Sequence, residues 1–387
     1  MNTRPLYLDH QATTPLDERV LQEMLPFLTC EYGNPSSPHM YGRIAAKAVR
    51  VARRQVADLV GATSEREIVF TSGATEADHL AIVGFALAAR PTGGHIVTTV
   101  VEHKAVHAAC QRLVDHHGYS VTLVGVDRHG CVRPADVAAA LSPNTVLVSV
   151  MHANNEIGTL QRLAAVADIT VPRGIALHTD AAQSAGWGLL DVAELGVDLA
   201  SLSAHKLHGP KGIGALYIRE GTRIAAQQTG GGQERGLRAG TPDVPAIVGF
   251  GAAAHLITAD AVAAPSRIRA LRDRLQGRLL ADLPGAVVNG HPCRRLPGNL
   301  SITLPGIEAA DLLERVPGVA ASTGSACTSG SAEPSHVLTA IGLTRSQARA
   351  TLRLSIGRTT TAEDIEHAAD LITRTAHALQ QTHVVSA

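Results

Sequence analysis

The chain has 387 residues with 34 basic and 34 acidic side chains, so its formal net charge is zero at neutral pH. Proteins that hold DNA or RNA by bulk charge carry a basic excess, so this balance argues against direct nucleic-acid binding. Apolar residues make up 45% of the chain, enough for a large buried core, and the length predicts roughly two or three domains.

The N-terminal residues and the cysteines limit the kind of protein further. The opening residues MNTRPLYLDHQATTP contain no apolar core like that of a signal peptide, and every apolar run is far shorter than the roughly 18 residues that span a bilayer. The five cysteines are widely separated and form no CxxC pair, so we expect neither a disulfide framework nor a metal centre. Free thiols suit a reducing compartment, which predicts a cytoplasmic protein without membrane contact.

Apolar, β-branched segments alternate with helical segments through the first part of the chain. The helical segments lie at 44–60, 104–116 and 134–141, and the strands at 95–100, 121–126, 145–151, 174–180, 199–205 and 214–218. The nearly continuous hydrophobicity of these strands is typical of strands buried on both faces. The alternation predicts an α/β fold with a mostly parallel central sheet.

The pattern changes after about Gly251. A helix at 266–281 carries five arginines, and we interpret them as a solvent face rather than a phosphate-binding face. Strands at 298–304 and 351–357, a Gly/Ser-rich segment at 322–331 and a helix from Ala362 follow. We therefore predict a large domain of residues 15–255, and a small α+β domain of residues 1–14 and 256–387.

A strand, a glycine turn and a helix occupy residues 67–82. Gly73 permits a tight turn, after which the free N–H groups of the helix start suit a phosphate, with Thr75 adding a hydroxyl. The alternative is an ordinary helix start capped by Ser72 or Thr71, and it is favoured while this motif stands alone.

Two further strands end in chemically informative residues. Asp180 directly follows one strand, where a carboxylate can pair with a protonated ring nitrogen or merely cap the next helix. Lys206 ends another strand beside Ser203 and His205, and a lysine there can bind a carbonyl covalently. A phosphate site, an aspartate and a lysine at strand ends together suit pyridoxal phosphate.

Cys327 lies in the segment VAASTGSACTSGSAEPSH, which is crowded with glycine and serine. Such a composition predicts an exposed loop with little apolar packing, so this cysteine is a candidate nucleophile and sulfur carrier. We interpret the other four cysteines as small buried apolar residues.

Motifs along nearly the whole chain resemble those of cysteine desulfurases, enzymes of the class V aminotransferase fold. They are YLDHQATTP (7–15), YGNPSSPH (32–39), FTSGATEADHLAI (70–82), VEHKAV (101–106), MHANNEIG (151–158), HTDAAQSAG (178–186), SAHKLHGPKGIG (203–214), GGGQERGLRAGT (230–241) and GSACTSG (324–330). Membership of the specialised type that feeds DNA phosphorothioation stays open. The resemblance implies fold type I of the pyridoxal-phosphate-dependent transferases, with a large domain and a small C-terminal domain.

The resemblance also implies roles for single residues. Lys206 would hold the cofactor covalently, Asp180 would pair with its ring nitrogen, and His103 would stack on the ring and assist proton transfer. Gln183 and Asn155 would neighbour the phenolic oxygen. The phosphate would contact Ala74, Thr75, Ser203, His205 and, from the other subunit of a homodimer, Thr241. Arg353 would bind the substrate carboxylate through a bidentate pair, with Asn34 and Asn155 bordering the substrate.

The implied reaction converts L-cysteine into L-alanine and leaves a persulfide on Cys327 for an acceptor protein. Two alternatives stay open, a selenocysteine lyase or related β-lyase on the same fold, and a non-catalytic sulfur-relay scaffold. Gln233 and His79 depart from the commonest family pattern, and the short C-terminal end QQTHVVSA puts an iron–sulfur scaffold partner in doubt. DNA phosphorothioation, tRNA thiolation and iron–sulfur assembly therefore all stay open as destinations of the sulfur.

Overall fold

A computed structural model describes residues 4–324 and 334–385 of the chain. The strands in these ranges are β1 Leu6–Tyr7, β2 Ile68–Thr71, β3 His95–Thr99, β4 Ser120–Val124, β5 Thr145–Ser149, β6 Ala176–Asp180, β7 Leu199–Ser203, β8 Gly214–Ile218, β9 Val287–Val288, β10 Asn299–Thr303, β11 Val319–Ala320, β12 Ser322–Thr323 and β13 Thr351–Ser355.

The helices of the same ranges are α1 Glu18–Thr29, α2 Met40–Leu59, α3 Ala74–His79, α4 Phe85–Ala89, α5 Lys104–His117, α6 Pro134–Ala140, α7 Leu163–Thr170, α8 Val244–Ala259, α9 Ala263–Asp282, α10 Ala309–Arg315, α11 His336–Ala340, α12 Arg345–Arg349 and α13 Ala362–Val385. A wider helical turn at Leu80–Gly84 joins α3 to α4. In the described chain, no single helix is long and apolar enough to cross a membrane; α8 and α9 meet those criteria only as a pair, which is bent by 78°.

A seven-stranded sheet forms the centre of the described chain, in the order β2-β8-β7-β6-β5-β3-β4. The pairs from β7 through β4 are parallel, whereas β8 runs antiparallel to both of its neighbours. The α/β fold with a mostly parallel sheet is thus confirmed. Burial on both faces is wrong for β4, because this strand lies at the sheet edge and leaves Ser120 and Leu123 exposed.

A smaller antiparallel sheet, β12-β13-β10-β9, lies apart from the central one. Strand β1 pairs with β11, and Leu8 belongs to the apolar core that lies beneath this second sheet. The N-terminal segment therefore packs with the C-terminal elements, while its next residues extend towards the central sheet. This path places residues 9–13 between the two sheets, and residues 11–13 line a cavity there.

Helix α9 does not present its arginines simply to solvent. Arg278 pairs with Asp370 at 2.8 Å and with Glu366, both on α13, and Arg267 donates to the carbonyl oxygen of Thr360 at 2.9 Å. Arg272 is buried and pairs with Asp273 at 2.6 Å. The solvent-face interpretation is therefore wrong for Arg272, whereas Arg267 is exposed and Arg278 is partly exposed and pairs across to α13.

The described cysteines divide into two kinds. Cys110 and Cys131 are buried, as expected, but Cys30 and Cys293 are exposed. Cys30 follows the end of α1 and Cys293 lies in a turn, and both side chains are open to solvent in the described chain. The prediction of a buried apolar residue is wrong for these two positions.

Candidate active site

A cavity of about 600 Å³ opens where the carboxyl ends of β6 and β7 meet the N-terminal segment. Most of the residues expected at the site line this cavity: Ala74, Thr75, His103, Asn155, Asp180, Gln183, Ser203, His205, Lys206 and Arg353. Their convergence follows from the parallel sheet, because adjacent parallel strands end at the same edge and deliver the residues after them to one place.

Lys206 ends the short helical turn that follows β7. Its Nζ donates to the backbone carbonyl oxygens of Gln11 at 2.6 Å and Ala12 at 2.8 Å. The Gln183 side chain donates to the same Gln11 carbonyl at 3.0 Å. The N-terminal segment thus fixes the lysine amine at the mouth of the cavity.

Asp180 is the last residue of β6 and is buried. Its Oδ1 accepts a hydrogen bond from the Ala182 N–H at 2.9 Å, so it makes a local turn contact while still facing the cavity. Burial raises the pKa of the carboxyl, whereas His103, the Ala182 N–H and Lys206 lower it. A cationic group in the cavity would favour the ionised form, which suits pairing with a protonated ring nitrogen.

A second buried acid, Asp78, lies behind Asp180. One ligand atom of each of Asp78, Asp180 and His103 lies within 4.8 Å of the others. Burial and the nearby Asp180 raise the pKa of Asp78 well above its usual value. Two carboxylates this close do not both ionise easily, so Asp78 is the neutral member and Asp180 carries the charge.

Gly73 is the N-cap of α3, and among the described residues no side chain caps the first N–H groups of this helix. The Thr71 hydroxyl donates to the carbonyl oxygen of Gly73 at 2.9 Å, and the Ser72 N–H donates to Glu76 at 2.7 Å. The interpretation of Ser72 or Thr71 as a cap is therefore wrong. Free N–H groups face the cavity beside the exposed Thr75, as an anion site requires.

His205, Thr13 and Lys211 also line the cavity. His205 Nδ1 lies 3.0 Å from the Thr13 hydroxyl, and burial, with smaller contributions from Lys206 and Lys211, lowers its pKa to about 4. The imidazole is therefore neutral at physiological pH. Lys211 also lines the cavity and can supply a positive charge near the free N–H groups of α3.

His103 stands at the N-terminus of α5, and its Nδ1 accepts a hydrogen bond from the Ala105 N–H at 3.2 Å. This bond fixes the ring plane and leaves Nδ1 as an acceptor, while the ring lines the cavity. A flat ring held in this way can stack on a planar cofactor.

Arg353 lies on β13 and is only 1% exposed. Its Nη1 donates to the Asn155 carbonyl oxygen at 2.9 Å, and its Nη2 pairs with Asp9 at 2.8 Å. Its Nε is buried without a hydrogen-bond partner in the described chain. The guanidinium is therefore oriented from behind and retains donor capacity for a carboxylate in the cavity.

Two expected residues lie elsewhere, and the position of a third is not described. Asn34 is exposed and does not line the cavity, because its side-chain oxygen accepts from the Ser36 N–H at 2.9 Å in its own loop. Thr241 lines a separate cavity of about 250 Å³, which shares Ser72, Gly212 and Ile213 with the first one. Cys327 lies outside the described residues.

The sequence reasoning assigned no role to three residues that build the site. Asp9 orients Arg353, Gln11 supplies a carbonyl oxygen for Lys206, and Glu156 follows Asn155 as a buried acid. Asp9 and Gln11 fall in the motif YLDHQATTP, and Glu156 falls in MHANNEIG. These three residues could have been proposed from the sequence, because each is a polar residue inside a motif that resembles the cofactor-binding family.

The residues present fit pyridoxal phosphate. An uncapped helix start with nearby hydroxyls suits its phosphate, a buried aspartate suits its ring nitrogen, and the amine of Lys206 suits its carbonyl carbon. The Asp78, His103 and Asp180 atoms also satisfy the spacing of a metal site, but His103 and Asp180 line the same cavity as the lysine and the helix start that suit pyridoxal phosphate.

Comparisons with known proteins agree with this geometry. The family model described as aminotransferase class-V matches residues 6–367. The chain is 46% identical over 380 residues to cysteine desulfurase IscS of Anaeromyxobacter sp. (strain Fw109-5), covering 97% of this chain and 94% of that relative. A solved structure described as a NifS-like protein has a TM-score of 0.89 at 36% identity, covering 97% of this chain and 99% of the other. A structure of SspA in complex with cysteine has a TM-score of 0.82 at 35% identity, covering 92% and 99%.

Proposed function

Because this chain belongs to the class-V aminotransferase family and is a pyridoxal-phosphate-dependent cysteine desulfurase of fold type I, we propose how its residues carry out the reaction. The observation that carries the proposal is one cavity lined by Lys206, Asp180 and Arg353. The bound cofactor supplies an electron sink for the Cα of L-cysteine.

The cofactor is held from several sides. Lys206 would attach it covalently, Asp180 would pair with its ring nitrogen, and His103 would stack on the ring. Gln183 and Asn155 would hold the phenolic oxygen. Ala74, Thr75, Ser203 and His205, all of which line the cavity, would hold the phosphate.

Arg353 binds the substrate carboxylate, because Asp9 and the Asn155 carbonyl oxygen hold its guanidinium in place. Asn155 borders the substrate from its own position in the cavity wall. The Nζ of Lys206 takes the Cα proton of the substrate, with His103 assisting the proton transfer. The carbonyl oxygens of Gln11 and Ala12 hold this amine at the cavity.

The substrate loses its sulfur when the Cys327 thiolate attacks the substrate thiol. The Cys327 thiolate forms a bond to the substrate sulfur, and the bond between that sulfur and Cβ breaks. The electron pair remains with Cβ, which takes a proton, the Nζ of Lys206 returns the proton to Cα, and the product leaves as L-alanine. Cys327 then carries a persulfide for an acceptor protein.

Replacing Cys327 tests this assignment. Cys327→Ala should bind the cofactor with the wild-type visible spectrum but form no persulfide, as measured by mass spectrometry of the intact chain. As a matched comparison, Lys206→Ala should lose the visible band of the covalently held cofactor. Full production of alanine and sulfide by Cys327→Ala would contradict the role of the thiol.

The assembly we propose is a homodimer of cytoplasmic chains. Thr241 supports it, because within one chain this residue lies outside the cofactor cavity, where it is free to complete the phosphate site of a second copy. Leu28, Tyr32 and Met40 also support it, since these large apolar residues are 58%, 72% and 59% exposed and lie close together in the chain. Each chain would comprise a large domain of residues 15–255 and a small domain of residues 1–14 and 256–387.

The partners we propose are L-cysteine, a second copy of the chain and a sulfur-acceptor protein. The zero formal net charge supports transfer through a protein rather than direct contact with a nucleic acid. Loading Cys327 with labelled sulfur and adding cell extract would identify the receiving macromolecule. Label recovered on no macromolecule would contradict a relay role, and label on DNA or RNA without an intermediate protein would contradict the proposed acceptor.

A further inference from the structure

Glu156 joins the cofactor cavity to the elements beyond it. It directly follows Asn155 of the cavity wall and is only 6% exposed. Its N–H donates to the Asn154 side chain at 2.9 Å, and its carbonyl oxygen accepts from the Asn299 side chain at 3.0 Å. These two bonds fix the backbone, so the Glu156 carboxyl has a defined position between the central sheet and β10.

The partner of this carboxyl is Ser335, whose hydroxyl donates to Glu156 Oε2. The same hydroxyl accepts from the N–H groups of Val337 at 3.1 Å and Leu338 at 3.2 Å, which makes Ser335 the N-cap of α11. A serine hydroxyl offers one donor and two acceptor positions, and all are used here. Ser335 therefore ties the start of α11 to Glu156.

Apolar packing already holds α11 in place. Val337 and Leu338 belong to one cluster with Val101, Met151 and Ile157. These apolar contacts can hold α11 without the hydrogen bond to the buried Glu156 carboxyl. Burial of Glu156 is unfavourable and raises its pKa to about 7, although Ser335, Arg353, Lys104 and His103 lower it. A buried acid that packing does not require commonly specifies one geometry rather than adding stability.

Ser335 lies close in the chain to the proposed nucleophile Cys327. Ser335 follows Cys327 by eight residues, which span at most about 28 Å when fully extended. Arg353, which points at the same cavity, donates to the carbonyl oxygen of Asn155, the neighbour of Glu156. One short stretch of chain therefore contacts both the proposed substrate-binding arginine and the end of the thiol-bearing segment.

We propose that Glu156 is a positioning residue that, through Ser335, fixes the end of the Cys327 segment relative to the Arg353-bound substrate. This inference rests on the roles proposed above for Cys327 and Arg353. Glu156 itself does not touch the substrate; it sets the point from which the thiol must reach the substrate sulfur.

The test compares Glu156→Ala with Glu156→Gln in the cofactor-loaded enzyme. Loss of the hydrogen bond in Glu156→Ala should lower kcat for alanine formation by about tenfold, with the KM for L-cysteine within about twofold of the wild type. Glu156→Gln keeps an acceptor oxygen and should restore most of kcat. The visible spectrum of the cofactor should be unchanged in both variants.

Amide hydrogen exchange supplies a readout besides activity. The Val337 and Leu338 amides should exchange faster in Glu156→Ala than in the wild type, with or without cofactor, and Glu156→Gln should reverse the change. Ser335→Ala removes the same link from the other side, so the double variant Glu156→Ala/Ser335→Ala should lose no more kcat than the worse single variant.

Each outcome separates this inference from the proposed function. A wild-type kcat in Glu156→Ala, or a change confined to KM or to cofactor binding, would overturn the positioning role while Cys327→Ala remains inactive. An active Cys327→Ala would instead overturn the function of the thiol, whatever the Glu156 variants do.

Discussion

At the scale of single residues, two buried aspartates that lie close together differ in charge, because Asp180 is ionised and Asp78 is neutral. Asp180 faces the cavity, whereas Asp78 is fully buried behind it and has a raised pKa because of burial and the nearby Asp180. An ionised Asp180 pairs with the cofactor, and a neutral Asp78 leaves it as the single negative charge. Replacement by asparagine should therefore affect cofactor binding differently at Asp180 and at Asp78.

Replacing each aspartate with asparagine tests this difference. Asp180→Asn removes a charge that pairs with the ring nitrogen and should weaken cofactor binding by at least about a hundredfold. Asp78→Asn replaces one neutral group with another of the same shape and should leave affinity within about threefold. Titration of the visible absorbance with added cofactor measures both. Equal losses in the two variants would show that Asp78 is also ionised.

The sequence was sufficient to predict site residues that directly follow an apolar strand and carry a reactive or charged group. Asp180 and Lys206 follow apolar strands, so their location and use could be inferred without a structure. Asp9 could not be assigned in this way, since its partner Arg353 lies 344 residues away in the chain. Asp78 could not either, because its burial depends on strands that pack around α3 only in the folded chain.

At the scale of elements, the strands were predicted closely because they are buried apolar runs. The predicted strand ends ran too far, as in 145–151 against β5 and 199–205 against β7, because buried apolar residues such as Val150, Met151 and Ala204 follow the last paired residue. Helix α8 was missed because it is apolar on all sides and shows no amphipathic period. Helix α2 begins earlier than predicted, because His39 caps it and histidine is not a usual capping residue.

The contact between α9 and α13 permits a prediction at the same scale. Arg278 is a partly exposed residue paired with Asp370 and Glu366, whereas Leu279 beside it is fully buried in the apolar core. Surface ion pairs contribute little because water and salt screen them. Leu279→Ala should lower the free energy of unfolding by about 2–5 kcal/mol. Arg278→Met should cost clearly less, as measured by urea denaturation, and the reverse order would show that the ion pairs hold the two helices together.

At the scale of the whole molecule, the exposed apolar residues near α1 and α2 bear on assembly. Leu28 and Met40 are 58% and 59% exposed, which is costly unless another surface covers them. Leu28→Glu/Met40→Glu should therefore convert the dimer into a monomer of 40.3 kDa in sedimentation experiments. Leu123→Glu is the matched control, since Leu123 is 52% exposed on the edge strand β4 and should leave the dimer intact. A wild-type chain that sediments as a monomer would contradict the proposed assembly.

The buried acids also set how the stability of the whole molecule depends on pH. Burial raises the pKa of Glu102 to about 8 and that of Glu156 to about 7, so the folded state keeps protons that the unfolded chain releases near its ordinary pKa of about 4.3. Their stabilising contribution is complete below that value and is lost as the pH rises towards 8. The buried histidines act in the opposite direction, since His152 and His178 have pKa values lowered by burial to about 4 and 3, but their effect is complete above about pH 6.5.

Between pH 6.5 and 8, the raised pKa values of the acids therefore determine the trend. The free energy of unfolding should fall by about 1–2 kcal/mol over this interval through Glu102 alone, measured by urea denaturation at fixed protein concentration. Glu102→Gln keeps an acceptor for the Thr99 hydroxyl and the Met151 N–H and should flatten the decline. Asp17→Asn is the control, because hydrogen bonding to Arg19 lowers the pKa of Asp17 to about 2, far below the interval. A decline of the same slope in Glu102→Gln would show that Glu102 is already ionised in the folded protein at pH 6.5.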